Sequence, residues 1–139
     1  MRFLLDTNVV SEFAKDEVNP GVLRWLSHGD EQAMVISVVT IGEIEKGIAW
    51  MPQGKRQRAL EVWLQSRLVP RFRERILPLE LEDLQRWGRM IGSALKAGAP
   101  LPQMDTLIAA VAMNRDLILV TRNTDDFMRT GVKLLNPWS

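Results

Sequence analysis

The sequence predicts an α/β domain with a mainly parallel central sheet. Two observations carry this: short apolar or β-branched runs alternate with stretches of helical periodicity, and the first run, Phe3-Leu4-Leu5, ends in Asp6 followed by Thr7-Asn8. A strand that delivers a carboxylate to a turn and then a helix is how an open α/β sheet brings an acid to its crevice. A chain of 139 residues suits one domain with a buried core, so residues 1–139 are read as a single unit.

The elements follow in order. Residues 2–5 read as a strand and 7–15 as a short helix. Asn19-Pro20-Gly21 marks a turn before a helix over 22–27, and the β-branched stretch 33–37 is a second strand. Ile41, Ile44, Ile48 and Met51 are helically spaced, so 39–51 is a helix closed by Pro52-Gln53-Gly54. Residues 55–69 form a further helix on the stripe Leu60, Trp63, Leu64 and Leu68, with Pro70 breaking or bending its end. A short strand over 75–79 precedes a helix over 81–96, which Gly98 closes. Beyond the rigid segment 99–102 come a helix over 105–114, a strand over 117–121 and a final strand over 132–135. This strand–helix alternation implies a sheet covered by helices on both faces. Trp25, Trp50, Trp63 and Trp87 fall at helical spacing beside aliphatic residues, as core or interface tryptophans do.

Composition removes much chemistry. There is no cysteine, hence no thiolate nucleophile, zinc ribbon or disulfide frame, and His28 is the single histidine. Multi-histidine metal sites and two-histidine acid–base pairs are therefore excluded, and His28 itself reads as a helix-end residue. Glycine-rich phosphate cradles are absent too. No apolar run approaches the roughly 20 residues of a membrane span, and Asp6 interrupts the first apolar run before a signal sequence develops, so a cytoplasmic protein is expected. The charge is unevenly spread. Residues 54–75 hold seven bases against Glu61 and Glu74, a local +5 in a chain of net +1, which leaves −4 for the remainder. An acidic body with a basic arm suits a metal-dependent phosphodiesterase, and it also suits an ordinary helical hairpin.

Three acids stand in apolar company: Asp6, Glu43 and Asp105. Asp6 and Asp105 each sit where a helix begins, so each is readable as an N-cap or as a ligand. Glu43 lies within a helix, and Gly47 one turn on leaves its face open. If the first and fourth strands are neighbours, the loops beyond them meet at the switch point of the sheet. Carboxylates gathered there repel unless a cation joins them, and an all-oxygen set suits Mg²⁺ or Mn²⁺. Thr7 and Asn8 read either as caps or as phosphate contacts. Arg122 reads as a phosphate contact or as the partner of Asp125 or Asp126.

Four segments, 4–12, 37–48, 105–110 and 119–127, in this order and at this spacing, together with the closing Leu135-Asn136-Pro137-Trp138, resemble PIN-domain ribonucleases. The similarity runs from residue 2 to 138 and is strongest to VapC-type toxins of the FitB-like branch of type II toxin–antitoxin systems. The resemblance implies a PIN-like fold with a five-stranded, mainly parallel sheet, Mg²⁺ with Mn²⁺ as a substitute, and endonucleolytic cleavage of RNA. It also implies a cognate VapB-like antitoxin, a homodimer, and a toxin–antitoxin hetero-oligomer on promoter DNA.

By position, Asp6, Glu43 and Asp105 match the family's three metal-binding acids. Asn123 occupies the fourth catalytic place, where some members carry aspartate; its amide can hydrogen-bond water or substrate but brings no charge. Asp125 or Asp126 is available to supply that charge, with Asp126 equally readable as a cap of the turn at Phe127. The amide keeps a second reading open, a non-catalytic regulatory module that acts with a DNA-binding antitoxin. A haloacid-dehalogenase-like phosphotransferase would require Asp-x-Asp, and residue 8 is Asn.

Overall fold

The computed structural model describes residues 2–139; Met1, the first residue of the expected single domain, lies outside the described residues. Among the described residues, β1 (Phe3–Leu5), β2 (Met34–Ser37), β3 (Ile76–Leu77), β4 (Ile118–Val120) and β5 (Leu134–Leu135) form one sheet. Its order is β3-β2-β1-β4-β5 with every pairing parallel. The helices are α1 (Thr7–Glu12), α2 (Pro20–His28), α3 (Val38–Trp50), α4 (Lys55–Trp63), α5 (Val69–Arg71), α6 (Leu81–Lys96), α7 (Gln103–Asn114) and α8 (Thr124–Phe127).

The strand period of two explains the two cores. Leu4, Val35 and Leu119 point to one face, where they meet Leu107, Ile108, Val111 and Phe127. Their neighbours Leu5, Ile36 and Val120 point to the other, against Val9, Ile44, Ile48, Leu64, Leu68 and Phe72. Strands buried on both faces read as continuous apolar runs, as these do. Residues 106–112 of α7 are all buried, so this helix is apolar on every side because it is sandwiched in the core. Trp25, Trp63 and Trp87 pack against these cores, whereas Trp50 at the end of α3 is 89% exposed. No helix among the described residues is long and apolar enough to cross a membrane.

Several expected boundaries shift for identifiable reasons. The helix from residue 7 ends at Glu12 rather than 15, because the buried Glu12 carboxylate turns back to accept the Asn19 N–H (2.9 Å) and pairs with Lys15. The helix α7 begins two residues before Asp105, with Pro102 at its N-cap, so Asp105 is not the cap but a first-turn residue. Pro70 does not end its helix. Instead α4 widens into a π turn, Leu64–Leu68, and continues into α5, which contains Pro70. Proline lacks an N–H and crowds the carbonyl four residues back. The five-residue bond from the Val69 N–H to the Leu64 carbonyl accommodates both defects. The outer strands are shorter than expected, only two paired residues each in β3 and β5, since each has a ladder partner on one side only.

The order β3-β2-β1-β4-β5 places the switch point between β1 and β4. In parallel crossovers the helices run back toward the strand starts, so α1, α3 and α7 all begin at the carboxyl edge of the sheet. The chain end closes over α2. Asn19 Oδ1 accepts from the N–H groups of Gly21 (3.0 Å), Val22 (3.3 Å) and Ser139 (3.3 Å). A Cβ on Gly21 would lie 2.3 Å from the Pro137 oxygen and 2.6 Å from the Ser139 nitrogen. In an open helix Gly→Ala is favourable by about 1 kcal/mol. Here overpacking against backbone, about 1–3 kcal/mol, outweighs it. Gly21→Ala should therefore lower the urea midpoint; a raised midpoint would show that the 137–139 segment does not bear on α2.

Candidate metal centre and adjoining groove

Asp6 leaves β1 and caps α1: its Oδ1 accepts the Thr7 N–H at 2.8 Å. It is 5% exposed, and its Oδ2 accepts from the Thr121 hydroxyl at 2.8 Å and from Asn8 Nδ2 at 3.5 Å. Thr121 follows β4 as Asp6 follows β1, so adjacent strand ends bring them together. The Thr121 oxygen in turn accepts from Asn8 Nδ2 (3.3 Å) and the Asn123 N–H (3.0 Å), which fixes the loop after β4. The Arg122 N–H adds a bond to Asn8 Oδ1 at 3.3 Å.

Glu43 reaches this edge from α3, which Ser37 caps directly after β2. The Thr7 hydroxyl donates to its Oε1 at 2.8 Å, so one residue beside Asp6 holds the second acid. Asp105 comes from the first turn of α7, and among the described residues its carboxylate accepts no hydrogen bond. Burial, then the negative charges of Asp6, Glu43 and Asp126, push its pKa up to about 6. Asp6 is also raised, chiefly by burial and further by Glu43 and Asp126, against the hydrogen bonds from Thr121 and Thr7. Asp6, Glu43 and Asp105 are thus electrostatic neighbours, as expected for carboxylates brought to one edge.

Among the described residues, no three His, Cys, Asp or Glu side chains stand close enough to form a ready-made metal set. The donors nevertheless fit a hard ion: all are oxygens, and the group with the largest electrostatic penalty, Asp105, has no compensating donor. Asn123 stands at the N-cap of α8 without a capping side-chain bond, and its backbone rather than its amide contacts Thr121. Asp126 is the acid that joins the cluster electrostatically, and no capping bond from its side chain is present. Among the described residues Arg122 forms no ion pair with Asp125 or Asp126; its guanidinium lies 5.7 Å from the Trp138 ring centroid. Sequence reasoning missed Thr121, whose signal was its place at the end of a strand adjacent to β1.

Of the three acids, Glu43 lines a groove of about 600 Å³ between α3 and α4, together with Thr7, Gly47, Lys15, Arg56 and Trp63 among others. Nothing lies within 4 Å of where a Gly47 Cβ would be, so the wall beside Glu43 is open, as its spacing suggested.

The PIN domain profile matches residues 3–133. Toxin FitB of Neisseria gonorrhoeae is 32% identical over 135 residues, 97% of each chain. VapC ribonuclease Y4jK of Sinorhizobium fredii is 32% identical over 135 residues, 97% of this chain and 96% of that protein. A solved FitAB complex bound to an IR36 DNA fragment contains a chain that superposes with a TM-score of 0.86 at 30% identity, covering 99% of this chain and 96% of that one.

The raised pKa of Asp105 fixes the sign of a stability effect. The folded state favours its protonated form, so this contribution is full below the ordinary value of 3.8 and is lost as pH rises through about 6. In EDTA, Asp105→Asn should be more resistant to urea than the parent well above pH 6, and the two should converge near 3.8. Parallel curves across that interval would contradict the electrostatic crowding.

Proposed function

The chain belongs to the PIN-domain family, and from that premise we propose that it is the ribonuclease toxin of a type II toxin–antitoxin pair, a divalent-metal-dependent endonuclease acting on RNA. The observation that supports the reading is the electrostatic coupling of Asp105 to Asp6 and Glu43, which adds to burial in raising its pKa to about 6. The kinship to a VapC ribonuclease and to toxin FitB supports the same class.

Asp6, Glu43 and Asp105 would hold Mg²⁺, or Mn²⁺ in its place. The ion supplies Lewis acidity toward water and phosphate. The protein's own groups do the rest. Thr121 keeps Asp6 oriented, Thr7 keeps Glu43 beside it, and the Asn123 amide presents donor and acceptor groups to water or substrate. Hydrolysis joins the water oxygen to phosphorus, breaks the P–O3′ bond and places a proton on O3′. The products carry 5′-phosphate and 3′-hydroxyl ends, because the 2′-hydroxyl takes no part.

A small VapB-like antitoxin would neutralise the enzyme. The protein would work as a homodimer in the cytoplasm and join its antitoxin in a hetero-oligomer on promoter DNA, in keeping with the FitAB complex bound to DNA. A second reading, a regulatory module without catalysis, is favoured by Asn123 at the fourth place and by the spread of the acids.

Purified protein should cleave total RNA with Mg²⁺ and stop on addition of EDTA. Asp6→Asn and Asp105→Asn should each lower the rate by roughly 10²-fold or more while the circular dichroism stays that of the parent. Full activity of both variants would overturn the catalytic assignment, and metal-independent inertness of the parent would favour the regulatory reading. Mg²⁺ should also raise the thermal midpoint of the parent at pH 7.5 but not that of Asp105→Asn; equal shifts would place the ion elsewhere.

A further inference from the structure

The groove that Glu43 and Thr7 line continues into a second one of about 520 Å³, sharing Ala14, Ala59, Leu60 and Trp63 with it. The charged residues lining the first are mixed: Lys15, Asp16, Glu43 and Arg56. Those lining the second are all basic: Lys55, Arg58 and Arg67. Among the described residues none of these three bases has an ion-pair partner. In contrast, Arg71 and Arg75 of the same basic stretch are bound to Glu31.

The helix geometry accounts for this alignment. Arg58 and Arg67 are nine residues apart, which is two and a half turns of a regular α-helix and would set them on opposite faces. The π turn at Leu64–Leu68 under-rotates the chain, and Arg67 comes round to the groove that holds Arg58. Gln57 Nε2 donates to the Ile48 and Met51 carbonyls (2.9 and 3.1 Å), fixing the start of α4 against the end of α3.

Resting on the ribonuclease reading, we propose that this basic groove is the track for the RNA strand leading away from the scissile phosphate. Lys55, Arg58 and Arg67 bind backbone phosphates, and Trp63, at the junction of the two grooves, offers a face to a base. Basic side chains along a groove with an aromatic at its mouth is the arrangement that holds single strands without reading their sequence. An apolar peptide would leave three cations unpaired, so charge complementarity selects a polyanion.

The test is anisotropy with a fluorescein-labelled single-stranded oligouridylate of twelve nucleotides, in EDTA so that nothing is cut. Arg58 and Arg67 are exposed, so Arg58→Gln/Arg67→Gln leaves the core intact. The double variant should bind roughly tenfold more weakly, and the slope of log affinity against log salt should shrink by about 1.4, or 0.7 per lost phosphate contact. Arg89→Gln, an exposed change on α6, should leave both unchanged. With Mg²⁺ the double variant should raise KM for the twelve-mer while leaving kcat, and the cleavage of a dinucleotide, at parental values. Equal effects of Arg89→Gln, an unaltered slope, or undiminished RNA binding with loss of antitoxin binding would each overturn the track. RNA binding by a parent that fails to cleave would sink the ribonuclease reading and leave the track standing. Cleavage by a parent whose binding ignores Arg58 and Arg67 would do the reverse.

Discussion

The crowding of like charge at the carboxyl edge of the sheet is the constraint on which the rest depends. Asp6 is almost wholly buried, and Glu43, Asp105 and Asp126 lie within its electrostatic reach. Such an arrangement is unfavourable by itself, because burial and mutual repulsion both resist ionisation. The fold tolerates it through local donors. Thr7 gives its N–H to Asp6 and its hydroxyl to Glu43, and Thr121 serves Asp6 from the next strand. Helices that begin at this edge add the positive ends of their dipoles. Asp105 receives no such donor, and its pKa moves furthest into the physiological range. Unrelieved crowding of this kind, in an otherwise well-packed domain, is what singles this edge out as the candidate site.

Much of this was legible in the chain because it follows from periodicity. The alternation of Leu4 with Leu5, and of Val35 with Ile36, requires two covered faces, and the sheet supplies them. The helix over 81–96 was bounded by strong local signals, an acidic first turn and a glycine that adopts φ 71° just past its end. Other features depended on groups far apart in sequence. Thr121 meets an aspartate 115 residues earlier, and only the pairing of the two strands that precede them reveals it. The retreat of α1 to Glu12 depends on the backbone of Asn19, and the start of α7 at Gln103 makes Asp105 a first-turn residue instead of a cap. Proline signalled a fault in the helix after residue 55, but only packing of Leu64 and Leu68 into the core determined that the fault would be absorbed as a wider turn.

The basic stretch shows why a charge count is a poor guide to binding. Its seven bases look equivalent in the sequence. In the fold, Arg71 and Arg75 are structural: both bind Glu31, and Arg75 lies over the Phe72 ring and donates to the Glu31 and Met34 carbonyls. Removing them would damage the join between β2 and the end of α5 rather than a ligand surface. Among the described residues, Lys55, Arg56, Arg58, Arg67 and Arg73 have no ion-pair partner, and those on α4 and the π turn line the joined grooves that Glu43 also borders. Opposite charges thus occupy neighbouring parts of one surface without neutralising each other. A phosphate backbone is held by cations of this kind, left unneutralised by neighbouring carboxylates.

The amide at position 123 fits this electrostatic scheme better than its sequence context suggests. An aspartate there would have placed a further carboxylate on the loop that Thr121 and Asn8 hold against Asp6. Asp126, three residues along on α8, already contributes negative charge to both Asp6 and Asp105. The acidic character of the edge on this side is therefore carried by Asp126 of α8 and not by residue 123. Asn123 keeps a polar, uncharged side chain at the start of α8, able to donate as well as accept. A donor at that point can meet a phosphate oxygen, which a carboxylate would repel, and it adds no further charge to the edge where Asp6, Glu43 and Asp126 already act on Asp105.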